Sequence, residues 1–312
     1  MNRTRRRPRV AALVVLGGLV LAGCSTSSDE PAAEPSTAES STAESSAEPS
    51  ATAVPEGPRY VALGDSYTSS PLISEQATED GCLRSSTNYP ALVAGELGAE
   101  LTDVSCGGAE TTHVTAPQPT LTGTVPPQLD AVGADTELVT IGLGGNDRGV
   151  FSRLIGCTQQ RAADPEGSPC LDALGPEGVA TLEQDVAATG PALTAVIEQV
   201  RERAPDAEIV VVGYPRFVPD EGACPDLMPL ATGDVPFLAD LNEQLADVQA
   251  EAARAAGATY VDVYAASAGH DVCSAQPWVN GQQTVPGTAL AFHPLAAGQQ
   301  AVADLVLEAV AG

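Results

Sequence analysis

Lysine is missing altogether. The 14 positive side chains among the 312 residues are all arginine, and they face 41 acids, for a net charge of −27. Arg3, Arg5, Arg6, Arg7 and Arg9 crowd the first nine residues, so without residues 1–23 the chain stands at −32. So acidic a surface repels phosphate backbones, which excludes nucleic-acid binding, and it gives no attraction to anionic lipid. The acidity reads as solubility. Aromatic residues make up only 4%, which leaves Ala, Val and Leu to fill a core. Neither a Cys-x-x-Cys nor a His-x-x-x-His spacing occurs, so no metal site is expected. The apolar run at residues 10–22 would rise only about 20 Å as a helix, short of the ~30 Å core of a bilayer.

What is present begins with an address. A basic stretch, residues 1–9, precedes that short apolar run, the order of a signal peptide. The run ends Leu21-Ala22-Gly23-Cys24, which resembles the processing box of bacterial lipoproteins. The resemblance implies a signal peptide over residues 1–23 and a lipidated Cys24 as the new N-terminus, with ordinary cleavage and a free Cys24 as the alternative. Two or three acyl chains would hold such a protein stably on the outer face of the cell membrane. The arginine cluster leaves both general and twin-arginine export open. Residues 25–58 are Ser, Thr, Ala, Glu and Pro, with the near-repeat Ser-Thr-Ala-Glu-Ser at 36–40 and 41–45. They hold too little apolar surface to order themselves, so 24–58 is read as lipidated cysteine and tether, which suits a monomer. One domain is expected over 59–312.

Six cysteines remain: Cys82, Cys106, Cys157, Cys170, Cys224 and Cys273. An even set in an exported chain implies disulfides, though their pairing is open from spacing alone. Strands are expected at 60–63, 101–104, 138–141, 209–212 and 260–263, and helices at 89–97, 179–203, 237–256 and 294–310. Pro191 is expected to kink or divide the second helix. Strands alternating with helices imply a central parallel sheet of about five strands with helices on both faces, a three-layer α/β/α sandwich. Functional residues of such folds gather where the strands' carboxyl ends meet. After the first strand stand Gly64-Asp65-Ser66, after the second Cys106-Gly107-Gly108, after the third Gly144-Gly145-Asn146-Asp147, and before the last helix His293-Pro294.

These residue types suit acyl transfer. A serine hydroxyl needs a base, and histidine titrates in the right range. The backbone N–H groups of Ser66 and Gly108 and the amide of Asn146 could hold an oxyanion. Asp147 reads as a turn and N-cap residue, and Asp65 as a fixer of the serine's turn. His113 reads as a loop residue, and His270 as packing beside Cys273. Trp278 is left open between an acyl pocket and the bridge region.

The segments Gly64-Asp65-Ser66-Tyr67, Ser105-Cys106-Gly107-Gly108-Ala109, Gly144-Gly145-Asn146-Asp147 and Phe292-His293-Pro294 resemble, in order, the four signature blocks of the SGNH (GDSL) hydrolases. The supporting stretches Gly81-Cys82-Leu83-Arg84, Gly213-Tyr214-Pro215-Arg216 and Gly269-His270-Asp271-Val272-Cys273 are similar to the secreted bacterial esterases and lipases of that family. The resemblance implies a flavodoxin-like fold, nucleophile Ser66, base His293, an oxyanion hole of Ser66, Gly108 and Asn146, and no cofactor. It implies the sequential bridges 82–106, 157–170 and 224–273. Many family members place an acid three residues before the histidine. Here that residue is Leu290, and 288–292 hold no acid. The resemblance therefore suggests the Leu290 main-chain carbonyl as orienter, with Asp262 or Asp271 as the alternative. The expected activity is hydrolysis of small-molecule or lipid esters. A carbohydrate or peptidoglycan O-acetylesterase and a non-catalytic envelope binding protein are the competing readings.

Overall fold

The computed structural model describes residues 57–77, 79–219 and 222–312. The chain divides into two units, Met1–Ala51 and Thr52–Gly312, and the described residues all belong to the second. The expected signal peptide, the lipidated Cys24 and most of the tether lie outside them.

In chain order the elements are β1 (Arg59–Gly64), α1 (Ser66–Ser69), α2 (Tyr89–Leu97), β2 (Glu100–Asp103), β3 (Leu138–Gly142), α3 (Val150–Gly156), α4 (Pro169–Arg203), β4 (Glu208–Val212), α5 (Val235–Ala255), β5 (Thr259–Val261), α6 (Val263–Ala266) and α7 (Ala296–Ala311). The five strands form one sheet in the order β2-β1-β3-β4-β5, and every neighbouring pair is parallel. β1 beyond Arg59 and the whole of β3 are buried because helices cover both faces, whereas the edge strand β2 is buried nowhere.

The pleat divides β1 between two cores. Val61 and Leu63 meet Leu193, Val196, Ile197 and Val200 of α4 and Ala252 and Ala253 of α5. Tyr60 and Ala62 meet Tyr89 and Val93 of α2 and Val302 and Val306 of α7. This is the expected three-layer sandwich. A third cluster, with Phe151 and Leu154 of α3, Tyr214, Phe217 and Leu238, lies under the connections after β3 and β4. Bridges join Cys82 to Cys106, Cys157 to Cys170 and Cys224 to Cys273.

Two expectations change. α4 begins ten residues earlier than the periodicity suggests, and its break falls at Gly175 (φ 62°, ψ 175°) rather than at Pro191. Pro176 bars the preceding residue from helical geometry, and glycine alone takes that conformation cheaply, while a proline inside a packed helix removes one hydrogen bond without ending it. α7 starts at Ala296, capped by Leu295, so Pro294 stands outside it and pairs with Val279 in an isolated bridge.

Candidate active site

Ser66 opens α1 directly after β1. The turn is tight: a β-carbon on Gly64 would lie 2.2 Å from Thr68 Oγ1, and one on Gly142 of β3 2.5 Å from the same atom. Gln128 grips Gly64 from the side, accepting from its N–H and donating to its carbonyl, both at 2.9 Å. Asp65 is the N-cap and accepts from Tyr67 N at 2.8 Å. Ser66 itself is 8% exposed.

Asp65 reaches beyond its own turn. Its Oδ2 accepts from the Tyr214 hydroxyl at 2.6 Å and from Asn146 Nδ2 at 3.2 Å. The same hydroxyl accepts from Gly145 N at 2.9 Å. One carboxylate thus ties the ends of β1, β3 and β4 together. Burial pushes its pKa from 3.8 up to about 7, against the lowering effect of the Tyr214 and Tyr67 bonds.

Gly108 follows the Cys82–Cys106 bridge with φ 74°. A β-carbon there would meet nothing within 4 Å, so the backbone conformation rather than space calls for glycine. The flanking N–H groups are engaged, Gly107 on Cys82 O at 3.2 Å and Ala109 on Cys106 O at 3.0 Å. Asn146 sits opposite, its Nδ2 donating to Ala109 O at 3.0 Å as well as to Asp65. Both amide hydrogens are therefore in use, and one bond must be exchanged for the amide to reach a substrate oxygen.

Asp147 is not an N-cap. Its two oxygens accept from Thr111 N at 2.8 Å and Thr111 Oγ1 at 2.7 Å, which pins the loop after Gly108 to the loop after β3.

His293 ends a loop in which Phe292 takes φ 58°. Its Nδ1 lies 2.7 Å from Ala291 O. A carbonyl only accepts, so Nδ1 carries the proton and Nε2 keeps its lone pair. This corrects the assignment to Leu290. The Leu290 carbonyl is used instead by His293 N at 3.2 Å and Asn280 Nδ2 at 3.1 Å, because the left-handed Phe292 folds the ring back onto the nearer carbonyl. Burial holds the imidazole pKa below 6.5, partly offset by the Ala291 bond. The alternative acids serve elsewhere, Asp262 on Ala265 N and Asp271 on Cys273 N.

Ser66, Gly108, Asn146, Leu290 and His293 line one cleft of about 740 Å³. Its apolar walls are Leu83, Leu121, Phe151, Ile155, Phe217 and Phe292, and none of its lining residues is Asp, Glu or Arg. The α3 wall had no sequence signal. Nor did Tyr67, whose hydroxyl donates to Phe292 O at 2.7 Å and whose ring lies 5.5 Å from that of His293. The block motif does contain Tyr67, and its aromatic character was the one available hint. His113 accepts from Glu110 N within a short 3₁₀ turn. His270 stacks on Trp278 at 4.7 Å, and Trp278 borders a separate internal cavity of about 20 Å³ with Tyr89 and Pro294. Among the described residues no group of three or more His, Cys, Asp or Glu is placed to hold a metal ion.

The family model of the GDSL-like lipase/acylhydrolases matches residues 62–301. Lipase 2 of Streptomyces coelicolor is 40% identical over 260 residues, covering 80% of this chain and 84% of that one. The lipase of Streptomyces rimosus is 31% identical over 305 residues, 96% of each chain. Among solved structures, phospholipase A1 from Streptomyces albidoflavus NA297 superposes with a TM-score of 0.67 at 30% identity, over 81% of this chain and 99% of that one.

Proposed function

The chain belongs to the GDSL-like lipase/acylhydrolase family, and we propose that this lipase or esterase cleaves acyl esters through a covalent intermediate on Ser66. His293 Nε2 takes the hydroxyl proton as Ser66 Oγ attacks the ester carbonyl. The N–H groups of Ser66 and Gly108, joined by Asn146 Nδ2, hold the oxyanion of the tetrahedral intermediate. Collapse expels the alcohol, which takes the proton from His293. Water then attacks the acyl-enzyme with His293 again as base, which restores the serine and releases the acid. The Ala291 carbonyl keeps Nδ1 protonated throughout, and no cofactor takes part.

The observation that carries this reading is the convergence of Ser66, Gly108, Asn146 and His293 on one uncharged cleft. Its aliphatic and aromatic walls suit the acyl chain of a lipid-like ester better than a sugar. The test is hydrolysis of p-nitrophenyl esters from acetate to palmitate by the chain and its Ser66→Ala variant. Turnover favouring chains beyond acetate and lost in the variant supports the reading. A sharp optimum at acetate moves it to an O-acetylesterase, and no turnover at any length overturns it.

The proposal extends to place. Three disulfides favour export, as the leader at 1–23 suggests. Lipidation of Cys24 would anchor a monomer to the outer face of the membrane through the 25–58 tether. Metabolic labelling with a fatty acid, lost in Cys24→Ala, tests it.

A further inference from the structure

Charge is spread unevenly over this protein. Residues 59–312 hold nine arginines against 34 carboxylates, a net charge of −25. Yet residues 111–129 and 272–303 contain no Asp, Glu or Arg at all. The first lies in the connection that follows the carboxyl end of β2, and the second runs from the connection after β5 into the first half of α7. Both reach the cleft, the first with Pro119, Thr120 and Leu121, the second with Leu290, Phe292 and His293.

The exposed large hydrophobic residues fall in the same places. Among the described residues they are Leu121 (95% exposed), Leu227 (45%) and Val285 (43%). Leu121 is at the turn of the small hairpin that pairs Gln118–Pro119 with Thr124–Val125. Val285 stands in the second charge-free stretch. Leu227 adjoins that stretch, its carbonyl accepting from Gln282 N at 2.8 Å. None of the three lies on the helices that cover the sheet. One exposed leucine is ordinary. Leu121 and Val285 inside the two charge-free stretches, with Leu227 bonded to the second although Asp226 precedes it, form a pattern.

We propose that this rim docks on an electrically neutral lipid surface, zwitterionic headgroups over acyl chains, with Leu121 as the inserting side chain and Leu227 and Val285 in support. The choice of acyl chains as occupant rests on the acyl-ester reading of the cleft. Contact with lipid strips water from the rim, and the two charge-free stretches lose no charge solvation in doing so; the acids that border them include Glu79 and Asp80, whose carbonyls accept from Thr122 and Thr120, and Asp226 beside Leu227. The affinity comes from apolar insertion. An anionic surface is disfavoured because the net charge of −25 is repelled by it. Three side chains also offer little area beside the ~1,200–2,000 Å² of a stable protein interface, which argues against a second copy as occupant.

The test uses the chain from Ser25 onward, which lacks the basic and apolar leader as well as Cys24, with Ser66→Ala, so that no lipid is consumed. Co-sedimentation with phosphatidylcholine vesicles should show binding, and vesicles half phosphatidylserine should bind at least about threefold less at low salt, a difference that salt removes. Leu121→Asp should lower the phosphatidylcholine partition about tenfold, and Leu227→Asp with Val285→Asp about threefold. Leu121→Ser and near-ultraviolet circular dichroism separate lost docking from lost folding. A preference for anionic vesicles, indifference to Leu121→Asp, or a dimer that only Leu121→Asp dissolves would each overturn the proposal. So would absence of vesicle binding while the chain with Ser66 intact hydrolyses soluble esters, a result that spares the enzymatic reading. Vesicle binding by a chain that hydrolyses no ester would do the reverse.

Discussion

Ser66 leaves a strand whose last five residues are buried, and its turn is held from within by Asp65 and Thr68 and from distant parts of the chain by Gln128 and Tyr214. His293 ends a connection, residues 267–295, that contains no helix and no strand of the sheet, only the isolated bridges Val279–Pro294 and Val285–Ala289. The proposed nucleophile is held by close backbone packing and by buried hydrogen bonds on a rigid sheet. The base is held by a few polar bonds to main-chain atoms: Asn280 Nδ2 on Ala289 O and Leu290 O, and the Tyr67 hydroxyl on Phe292 O. Two halves of one reaction thus rest on unlike supports. Damage to the first should be a matter of packing, damage to the second a matter of orientation and solvent.

The largest effect should come from the base itself. His293→Ala should lower kcat on a short p-nitrophenyl ester by at least about 10³-fold, with an unchanged melting temperature. A residual rate within tenfold of the parent would mean that another group takes the serine's proton. Next comes the oxyanion wall, where Asn146→Ala should lower kcat about 10²–10³-fold with KM nearly constant. A pure KM effect would remove Asn146 from the transition state and leave it as a brace between Asp65 and Ala109.

The loop that carries His293 supplies the third test. Burial holds its pKa below 6.5, and the base acts neutral, so the midpoint of the acid limb of kcat/KM should fall below pH 6.5. Asn280→Ala should cost about tenfold in kcat and, by letting water reach the ring, move the acid limb up toward 6.5. An unmoved limb would show that the loop keeps its shape without Asn280.

The smallest effect concerns the nucleophile's support. Asp65 has a folded-state pKa of about 7 against an ordinary 3.8. Between those values the native protein binds more protons than the unfolded chain, so this group's contribution lowers stability as pH rises through the interval. The melting-temperature difference between Asp65→Asn and the parent should therefore shift toward the variant from pH 4 to pH 8. A pH-independent difference would mean that Asp65 stays ionised in its buried site.

The same contrast explains what could be read beforehand. β1, β3 and β4 are continuous apolar runs, and Gly64, Gly142 and Gly145 leave no room for a β-carbon, so both patterns show in the residue types themselves. Ser66 and Asn146 follow such runs and glycines, and Gly108 and His293 stand in short blocks of distinctive residue types. Tyr214 and Asn280 do not: their work is done across 149 and 10 residues of sequence separation, by a hydroxyl and an amide that any surface tyrosine or asparagine also has. The choice of Ala291 over Leu290 as carbonyl partner depends on the left-handed Phe292, and a phenylalanine gives no hint of that. Asp147 reads as a cap because Asp is among the side chains favoured at helix N-caps. Its true partner, Thr111, lies 36 residues away.

The Cys82–Cys106 bridge has a consequence in time. It joins the segments that supply Gly81 and Leu83 to one side of the cleft and Gly107 and Gly108 to another. The Gly108 donor therefore stands two residues from a bond that a reducing cytoplasm does not allow to form. Under the proposed export, the wall that carries Gly108 would gain this covalent brace only once the chain has left the reducing cytoplasm.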